Sequence, residues 1–173
     1  QAMVVIALDL SAERHLRAQL QSQAVTDALT GLLNRHGFQQ ALGRALARIE
    51  RSGERLAVLY LDLDGFKRIN DSIGHDAGDL LLQHVGEQLK GCLRPYDSLA
   101  RIGGDEFAAL LENLEHPEDA AKVAEKLIEQ VSVRHRLDGV DFTLGASVGI
   151  ASFPECGQTV EGLLRAADMR SEE

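Results

Sequence analysis

The spacing of apolar and polar positions predicts helices that alternate with strands. An almost unbroken apolar run at 56–63 is typical of a strand buried on both faces. Apolar residues recur at helical spacing over 38–49, 77–92, 120–131 and 160–167, and they predict four helices, the first capped by Asn34. Two strands are expected around a glycine pair within 98–111, and strict alternation predicts one strand with a single buried face over 140–150. The pattern therefore predicts an α/β (α+β) layered domain with at least one antiparallel strand pair.

The first 26 residues are expected to stand apart from that domain. Residues 3–8 predict a short apolar strand, and residues 11–24 predict a polar helix with only a thin apolar seam. A lone strand and such a helix cannot form a core. We interpret 1–10 as the end of a preceding domain, 11–26 as a linker helix and 27–173 as the main domain, with a frayed N-terminal arm as the alternative. Gln1 is not a native start, so the chain is expected to come from a longer protein.

Charge and composition narrow the class of partner. The chain has 173 residues, 45% of them hydrophobic, and 18 Lys and Arg against 27 Asp and Glu give a net charge of −9. This balance argues against a nucleic-acid polymer or an anionic membrane as partner, because both need a basic face. It does not exclude a single bound nucleotide. No apolar run reaches the roughly 18–20 residues of a membrane span, and no signal peptide is visible, so a cytoplasmic domain is predicted.

The first segment with candidate chemistry is Asp-Leu-Asp-Gly-Phe-Lys at 62–67. Asp62 ends the buried apolar strand, where a carboxylate is costly unless a positive group meets it. A calcium loop is excluded, because Phe66 and Lys67 occupy positions that require an oxygen ligand and a glycine. A magnesium site completed by substrate phosphates remains, and the following helix offers free N–H groups to phosphate. Two acids that merely cap this helix are the alternative.

The second segment is Gly-Gly-Asp-Glu-Phe at 103–107. The glycine pair fits a two-residue hairpin turn, because both glycines can take positive φ. Asp105 and Glu106 would then lie at the exit of a rigid turn. An exposed acid pair after a turn is ordinary, and spacing alone cannot prove that it meets Asp62.

The third segment, 70–79, offers an amide and a carboxylate at Asn70 and Asp79. A carboxylate accepts from the N–H donors of guanine, and an amide donates to its ring acceptors. Asn and Asp are also common turn and capping residues, which is the alternative for this segment.

These segments, in this order, resemble the GGDEF domain of diguanylate cyclases. The matching stretches are Asp-Ala-Leu-Thr-Gly-Leu-Leu-Asn-Arg at 27–35, the region 62–79, the signature at 103–107 and residues 143–150. The resemblance covers about residues 25–169. Gly65 gives an Asp-Gly-Phe variant that resembles GGDEF domains preceding an EAL phosphodiesterase domain. The N-terminal strand and helix resemble, more loosely, the exit of a PAS sensor domain.

The resemblance implies a nucleotidyl-cyclase, polymerase-palm-like fold, with a central, mainly antiparallel sheet flanked by helices. It implies the condensation of two GTP into cyclic di-GMP and two pyrophosphates, with Mg²⁺ (or Mn²⁺) as cofactor and a homodimer as the active form. By position, Asp62, Asp105 and the Leu63 carbonyl would hold the metal. Glu106 would assist as a ligand or as the base for the ribose 3′-hydroxyl.

The same resemblance assigns substrate contacts. Asn70 and Asp79 would bind guanine, the amides of Gly65 and Phe66 would hold phosphates, and Lys67 would lie near the developing charge. The alternative function is a GGDEF module that senses GTP or cyclic di-GMP and regulates an attached EAL phosphodiesterase domain.

Two further positions follow from the family pattern. Arg94 and Asp97 match its inhibitory site for cyclic di-GMP, with a surface ion pair across a turn as the alternative. After Asp168 the family continues with a Lys and an Arg that grip the triphosphate, whereas this chain ends five residues later. We therefore expect a C-terminally truncated domain in which Arg170 is the candidate partial substitute, and weaker GTP binding than in a chain extended past Glu173.

Overall fold

The computed structural model of the chain describes residue 20, residues 24–137 and residues 139–171. The predicted strand at 3–8 and nearly all of the predicted linker helix lie outside these residues. The elements in chain order are α1 Arg35–Ser52, β1 Arg55–Asp64, α2 Phe66–Ile73, α3 His75–Cys92, β2 Ser98–Arg101, β3 Glu106–Leu114, α4 Asp119–Val131, β4 Arg134–Leu137, β5 Val140–Thr143, β6 Gly145–Phe153 and α5 Val160–Ser171. Helices and strands are interleaved along the chain, as the sequence predicted, but the strand β4 was not predicted.

A four-stranded sheet in the order β2-β3-β1-β6 forms the centre, and every neighbouring pair in it is antiparallel. The strand β1 lies between β3 and β6, and this position explains its apolar run. Leu59 and Leu61 pack with α3 and α4 on one face, whereas Val58 and Tyr60 pack with α1 and α5 on the other. The predicted central antiparallel sheet flanked by helices is confirmed.

The start of α1 is also as predicted. The Asn34 side chain accepts a hydrogen bond from the Gly37 N–H at 2.8 Å, which satisfies one of the free donors in the first helical turn. The same side chain donates from Nδ2 to the Thr26 carbonyl at 3.3 Å. The cap therefore also ties the chain before α1 to the helix.

The prediction of one strand over 140–150 is wrong. The chain breaks at the buried Leu144, so that β5 pairs with β4 in a separate two-stranded sheet and β6 pairs with β1. The expected single buried face is also wrong, because α5 covers the second face of β6. A Cβ on Gly149 would lie 1.9 Å from the Ala167 carbonyl oxygen, so this glycine allows α5 to approach the strand closely. Alternation could not reveal the break, since the pattern continues through it.

The predicted two-residue turn with positive φ at both glycines is wrong as well. Four residues separate β2 from β3, and neither Gly103 nor Gly104 has a positive φ. The Ile102 N–H donates to the Glu106 carbonyl at 2.8 Å and closes this longer connection. No helix within the described residues is long and apolar enough to cross a membrane.

Candidate functional site

Acidic side chains from two neighbouring strands meet at one end of the sheet. Asp62 and Asp64 lie on the β1 face that packs against α1 and α5, just beyond the last apolar residue of that face. Glu106 is the register partner of Asp62 across the β1–β3 pair. Asp105 directly precedes β3, and its carbonyl accepts a hydrogen bond from the Leu63 N–H at 3.2 Å. We call Asp62, Asp64, Asp105 and Glu106 the carboxylate edge.

The register shows how the acids meet, which spacing alone could not prove. The residue opposite Asp62 is Glu106. Asp105 lies one residue outside β3, where it borders Leu63 through the backbone. All three acids of the hypothesis are brought together at this end of the sheet.

The acids of the carboxylate edge repel one another. Partial burial raises the pKa of Asp62 above its usual value, and the negative charges of Asp105, Glu106 and Asp64 raise it further. Burial also raises the pKa of Tyr60 to about 12, together with the charges of Glu106 and Asp168 and a hydrogen bond to Glu106. A cation at this position would relieve the repulsion.

The donor chemistry fits a hard divalent cation. The described residues hold no group of three or more His, Cys, Asp or Glu side chains arranged to bind a metal ion by themselves. Mg²⁺ characteristically takes only one or two carboxylates and completes its shell with water and substrate phosphates. Mg²⁺ therefore needs no more protein ligands than the carboxylates of Asp62 and Asp105 and the Leu63 carbonyl. Glu106, the register partner of Asp62, is the candidate for a further oxygen donor.

Arg101 fixes the loop that carries the acids of the signature. Its guanidinium donates to the Gly104 carbonyl at 3.1 and 2.9 Å and to both oxygens of Asp27 at 3.2 Å. Partial burial raises the pKa of Asp27, but hydrogen bonds from Thr30 and the charge of Arg101 outweigh burial, so the net pKa is lowered. The loop before β3 is thus anchored to a residue far away in sequence.

The sequence hypothesis gave Arg101 and Asp27 no role. Asp27 stood within the quoted stretch 27–35, which was the available signal, but its partner is not visible in that stretch. Gly103 has a steric role in the same loop, because a Cβ there would lie 2.5 Å from Oε2 of Glu106. The glycine leaves the room that this carboxylate occupies.

The turn between β1 and α2 has the geometry of a phosphate-binding turn. Gly65 has a φ of +79° and directly precedes α2, whose first-turn N–H groups have no helical carbonyl to bond. Phe66 is buried and anchors the turn, while Lys67 is exposed beside it. The Ser147 hydroxyl contacts both oxygens of Asp64 at 3.1 Å and restrains that carboxylate at the end of β1.

The two candidate guanine-binding residues lie on consecutive helices. Asn70 lies in the last turn of α2 and Asp79 in the first turns of α3, and Gly74 is the one residue between these helices. A Cβ on Gly78 would lie 1.9 Å from Oδ1 of Asn70, so the amide packs against the residue that precedes Asp79. The structure thus brings Asn70 and the Asp79 region together at the α2–α3 corner, and α2 separates this corner from the carboxylate edge by about 12 Å of helix.

The Arg94–Asp97 turn lies near the other end of β3. The Asp97 carboxylate accepts from the backbone N–H of Arg94 at 2.9 Å and from that of Glu112 at 3.3 Å. The exposed Arg94 guanidinium donates to the Tyr96 hydroxyl at 2.9 Å. The alternative expected from the sequence was an ion pair between the side chains of Arg94 and Asp97. The turn is held instead by the backbone N–H groups that donate to Asp97. Arg94 and Asp97 line a cavity of about 590 Å³ together with Lys122.

Arg170 is engaged elsewhere. Its guanidinium donates to the Ile150 carbonyl at 2.7 Å and contacts Sγ of Cys156 at 3.0 Å. Ile150 pairs with Leu59, three residues before Asp62 in β1. The suggestion that Arg170 replaces the missing phosphate-gripping residues therefore has no support in this arrangement.

Comparison with known sequences identifies relatives of the chain. A family model described as "Diguanylate cyclase, GGDEF domain" matches residues 24–173. The diguanylate cyclase TpbB of Pseudomonas aeruginosa is 44% identical over 153 residues, which are 88% of this chain and 35% of that protein. The cyclic di-GMP phosphodiesterase NbdA of the same species is 41% identical over 155 residues, 90% of this chain and 20% of that protein. The chain thus spans about a fifth to a third of these relatives.

Solved structures show the same fold. The GGDEF domain of TpbB from Pseudomonas aeruginosa is 42% identical, has a TM-score of 0.82 and covers 85% of this chain and 86% of its own. The coiled coil and GGDEF domain of DgcB from Caulobacter crescentus, solved in complex with c-di-GMP, is 29% identical with a TM-score of 0.85. It covers 99% of this chain and 93% of its own.

Proposed function

Because the chain belongs to the GGDEF domain family of diguanylate cyclases, we propose that it condenses two GTP molecules into cyclic di-GMP and two pyrophosphates. In each of two equivalent steps, the 3′-oxygen of one nucleotide bonds to the α-phosphorus of the other, and the bond to pyrophosphate breaks. The observation that carries the proposal is the carboxylate edge, where the acids of two strands meet beside a phosphate-binding turn.

Asp62, Asp105 and the Leu63 carbonyl are the proposed ligands of Mg²⁺ or Mn²⁺. When bound, such a cation supplies charge that acidifies the 3′-hydroxyl and stabilises the leaving pyrophosphate. Glu106 is the proposed acceptor of the hydroxyl proton or a further ligand. The raised pKa of Asp62 supports the assignment, because partial burial and the nearby charges of Asp105, Glu106 and Asp64 both disfavour its ionised form, which a bound cation would stabilise.

The remaining groups position GTP. The amides of Gly65 and Phe66 bind the phosphates at the start of α2, and the exposed Lys67 neutralises developing charge. At the α2–α3 corner, Asp79 accepts from the N–H donors of guanine and Asn70 donates to a ring acceptor. Asp79 is exposed and Asn70 is half-buried at the helix corner, and this placement supports the assignment of both side chains to a ligand.

A homodimer is the proposed active form. One carboxylate edge binds one GTP. Because cyclic di-GMP has two equivalent phosphodiester bonds between two nucleotides, two domains must face each other. A twofold axis makes both half-sites identical.

Product inhibition is proposed at the Arg94–Asp97 turn. The exposed Arg94 guanidinium suits a phosphate or a guanine edge, and the adjoining cavity of about 590 Å³ falls in the range of small-molecule sites. The cavity is separated from the carboxylate edge by most of β3, so product bound here would not compete directly for the GTP site.

The test of the proposal is incubation of the chain with GTP and Mg²⁺, followed by chromatography and a pyrophosphate assay. We expect cyclic di-GMP and pyrophosphate in a ratio of one to two, and an Asp105→Asn variant as a control that still binds GTP through its base contacts. GTP binding without any product would contradict the proposed reaction.

A second candidate function is regulation of an attached domain. The similarity to NbdA, a protein named as a phosphodiesterase, favours it, because a domain of this family there accompanies the opposite activity. In this alternative the chain binds GTP or cyclic di-GMP and controls an EAL phosphodiesterase domain that follows it, with a PAS-like sensor upstream. A full-length protein whose phosphodiesterase rate rises with GTP while no cyclic di-GMP forms would support this alternative.

A further inference from the structure

We propose that His75 is a positioning residue for guanine recognition, because it holds the Asn70 amide in the orientation that meets the base. The inference rests on the proposed function, in which Asn70 and Asp79 bind guanine. His75 itself stands one helical turn before Asp79 and has so far been given no role.

The corner between α2 and α3 is closed by backbone hydrogen bonds. Gly74 has a φ of +89°, its N–H donates to the Asn70 carbonyl at 2.9 Å, and its carbonyl accepts from the Gly78 N–H at 3.0 Å. Asn70 therefore lies one turn before a fixed corner, and His75 begins the helix directly after it. The two side chains are placed to contact each other by the backbone alone.

The Asn70 amide is held at both of its ends. Nδ2 lies 3.0 Å from Nδ1 of His75. An amide nitrogen can only donate, so the imidazole accepts through Nδ1 and carries its hydrogen on Nε2. At the other end, Oδ1 occupies the space that a Cβ on residue 78 would fill, since that atom would lie 1.9 Å away. Contact with His75 on one side and close packing at Gly78 on the other leave the amide little room to rotate, and Nδ2 is the end that meets the ring.

Orientation matters because a flipped amide exchanges its donor and its acceptor while keeping its shape. With Nδ2 toward His75, one N–H is used by the ring and the second stays available to a ring acceptor of guanine. Asp79 supplies the complementary acceptor from the next helix. A donor that is already oriented loses less freedom on binding, and the affinity for the base rises accordingly.

A pair of substitutions at one position tests the role. Asparagine places its side-chain oxygen near the position of the histidine Nδ1, whereas leucine places no acceptor there. We expect His75→Leu to weaken GTP binding about three- to tenfold, as for one lost hydrogen bond, and to leave ATP binding unchanged. His75→Asn should restore most of the GTP affinity. Calorimetric titrations of the chain with each nucleotide and Mg²⁺ provide the numbers.

Three further variants separate this inference from the function on which it rests. If Asn70→Ala weakens GTP binding while His75→Leu does not, the role of His75 is wrong and the guanine site stands. If neither Asn70→Ala nor Asp79→Ala changes GTP affinity, the guanine site itself is wrong and the inference is overturned with it. An equal loss of GTP and ATP affinity in His75→Leu would also overturn it, because that result reports general damage. In the double variant His75→Leu with Asn70→Ala, we expect no loss beyond that of Asn70→Ala alone.

Discussion

The carboxylate edge and the Arg94–Asp97 turn are both charged ligand sites in the proposed function, yet their charges are balanced in opposite ways. At the edge, Asp62 faces three other carboxylates and its pKa is raised by burial and by their charges. At the turn, the Asp97 carboxylate accepts two backbone N–H groups and Arg94 contacts Tyr96. At the edge, burial and repulsion disfavour the ionised form of Asp62, whereas at the turn backbone hydrogen bonds already satisfy the Asp97 carboxylate. Removal of charge should therefore impair function at the edge and stability at the turn.

The largest effect is expected at the edge. Asp62→Asn keeps the shape of the side chain but removes its charge, and we expect turnover of GTP to fall at least ~100-fold through loss of the cation. Asp64→Asn is the matched control on the same strand face, with a loss below about tenfold, because Ser147 already engages that carboxylate. The initial rates of cyclic di-GMP formation by the two variants and the parent measure both losses. Parent-like turnover of Asp62→Asn would refute the ligand assignment.

The second effect concerns the stability of the turn. Asp97→Ala removes the acceptor of two backbone N–H groups, and we expect the free energy of unfolding to fall by about 1–2 kcal/mol. Asp97→Asn keeps one acceptor oxygen and should lose about half as much. Urea denaturation of the two variants measures both values. An Asp97→Ala variant as stable as the parent would show that water replaces the carboxylate at no cost.

The third effect separates ligand binding from structure within the same turn. Arg94 is exposed, and its guanidinium contacts only the Tyr96 side chain beside it among the hydrogen bonds of the described residues. Arg94→Ala should leave the unfolding curve unchanged and raise the cyclic di-GMP concentration for half-inhibition about tenfold. Product-inhibition curves at fixed GTP test this. If the variant is inhibited as strongly as the parent, the inhibitory site lies elsewhere.

The smallest effect is a pH dependence at the edge. The raised pKa means that folded Asp62 holds its proton more tightly than the unfolded chain does. Its favourable contribution to stability is thus complete below the ordinary value of 3.8 and is lost as the pH rises through the raised pKa. Asp62→Asn mimics the protonated form at every pH. Its melting temperature should match that of the parent near pH 4 and exceed it at pH 7, by under about 2 °C because the group is partly solvated.

Mg²⁺ provides the control for this comparison. At pH 7 it should raise the melting temperature of the parent, which then approaches or passes that of Asp62→Asn, and should leave the variant unchanged. A melting difference between the two proteins that stays constant from pH 4 to pH 7 would contradict the electrostatic account of the edge.

Several site residues were accessible to sequence reasoning because their signals are local. Asp62 stands at the end of an apolar run, and a carboxylate there already indicates a special environment. Gly65 marks the turn into α2, and its positive φ agrees with the glycine. Asn34 caps α1 by accepting from the Gly37 N–H, only three residues later. In each case the interacting groups lie within a few positions of one another.

The errors fell where a partner lies far away in sequence. The strand break at Leu144 depends on β5 pairing with β4 while β6 pairs with β1, and the alternation is the same with or without it. The glycine pair of the signature is set by a loop that Arg101 ties to Asp27, a residue 74 positions earlier. Neither the strand pairing nor the Arg101–Asp27 contact can be seen in the local sequence pattern.

The sequence by itself determined the interleaving of helices and strands, the burial of the apolar strand β1 on both faces and the acids at its end, because periodicity and burial act on neighbouring residues. Only the tertiary structure decided that Glu106 faces Asp62, that Arg101 holds the signature loop and that His75 meets Asn70 across the helix corner. Strand register is fixed by the packing of the whole sheet and its helices, and a shift of one residue would turn Glu106 and Arg101 to the opposite face. The contact of His75 with Asn70 depends instead on how the two helices join at Gly74.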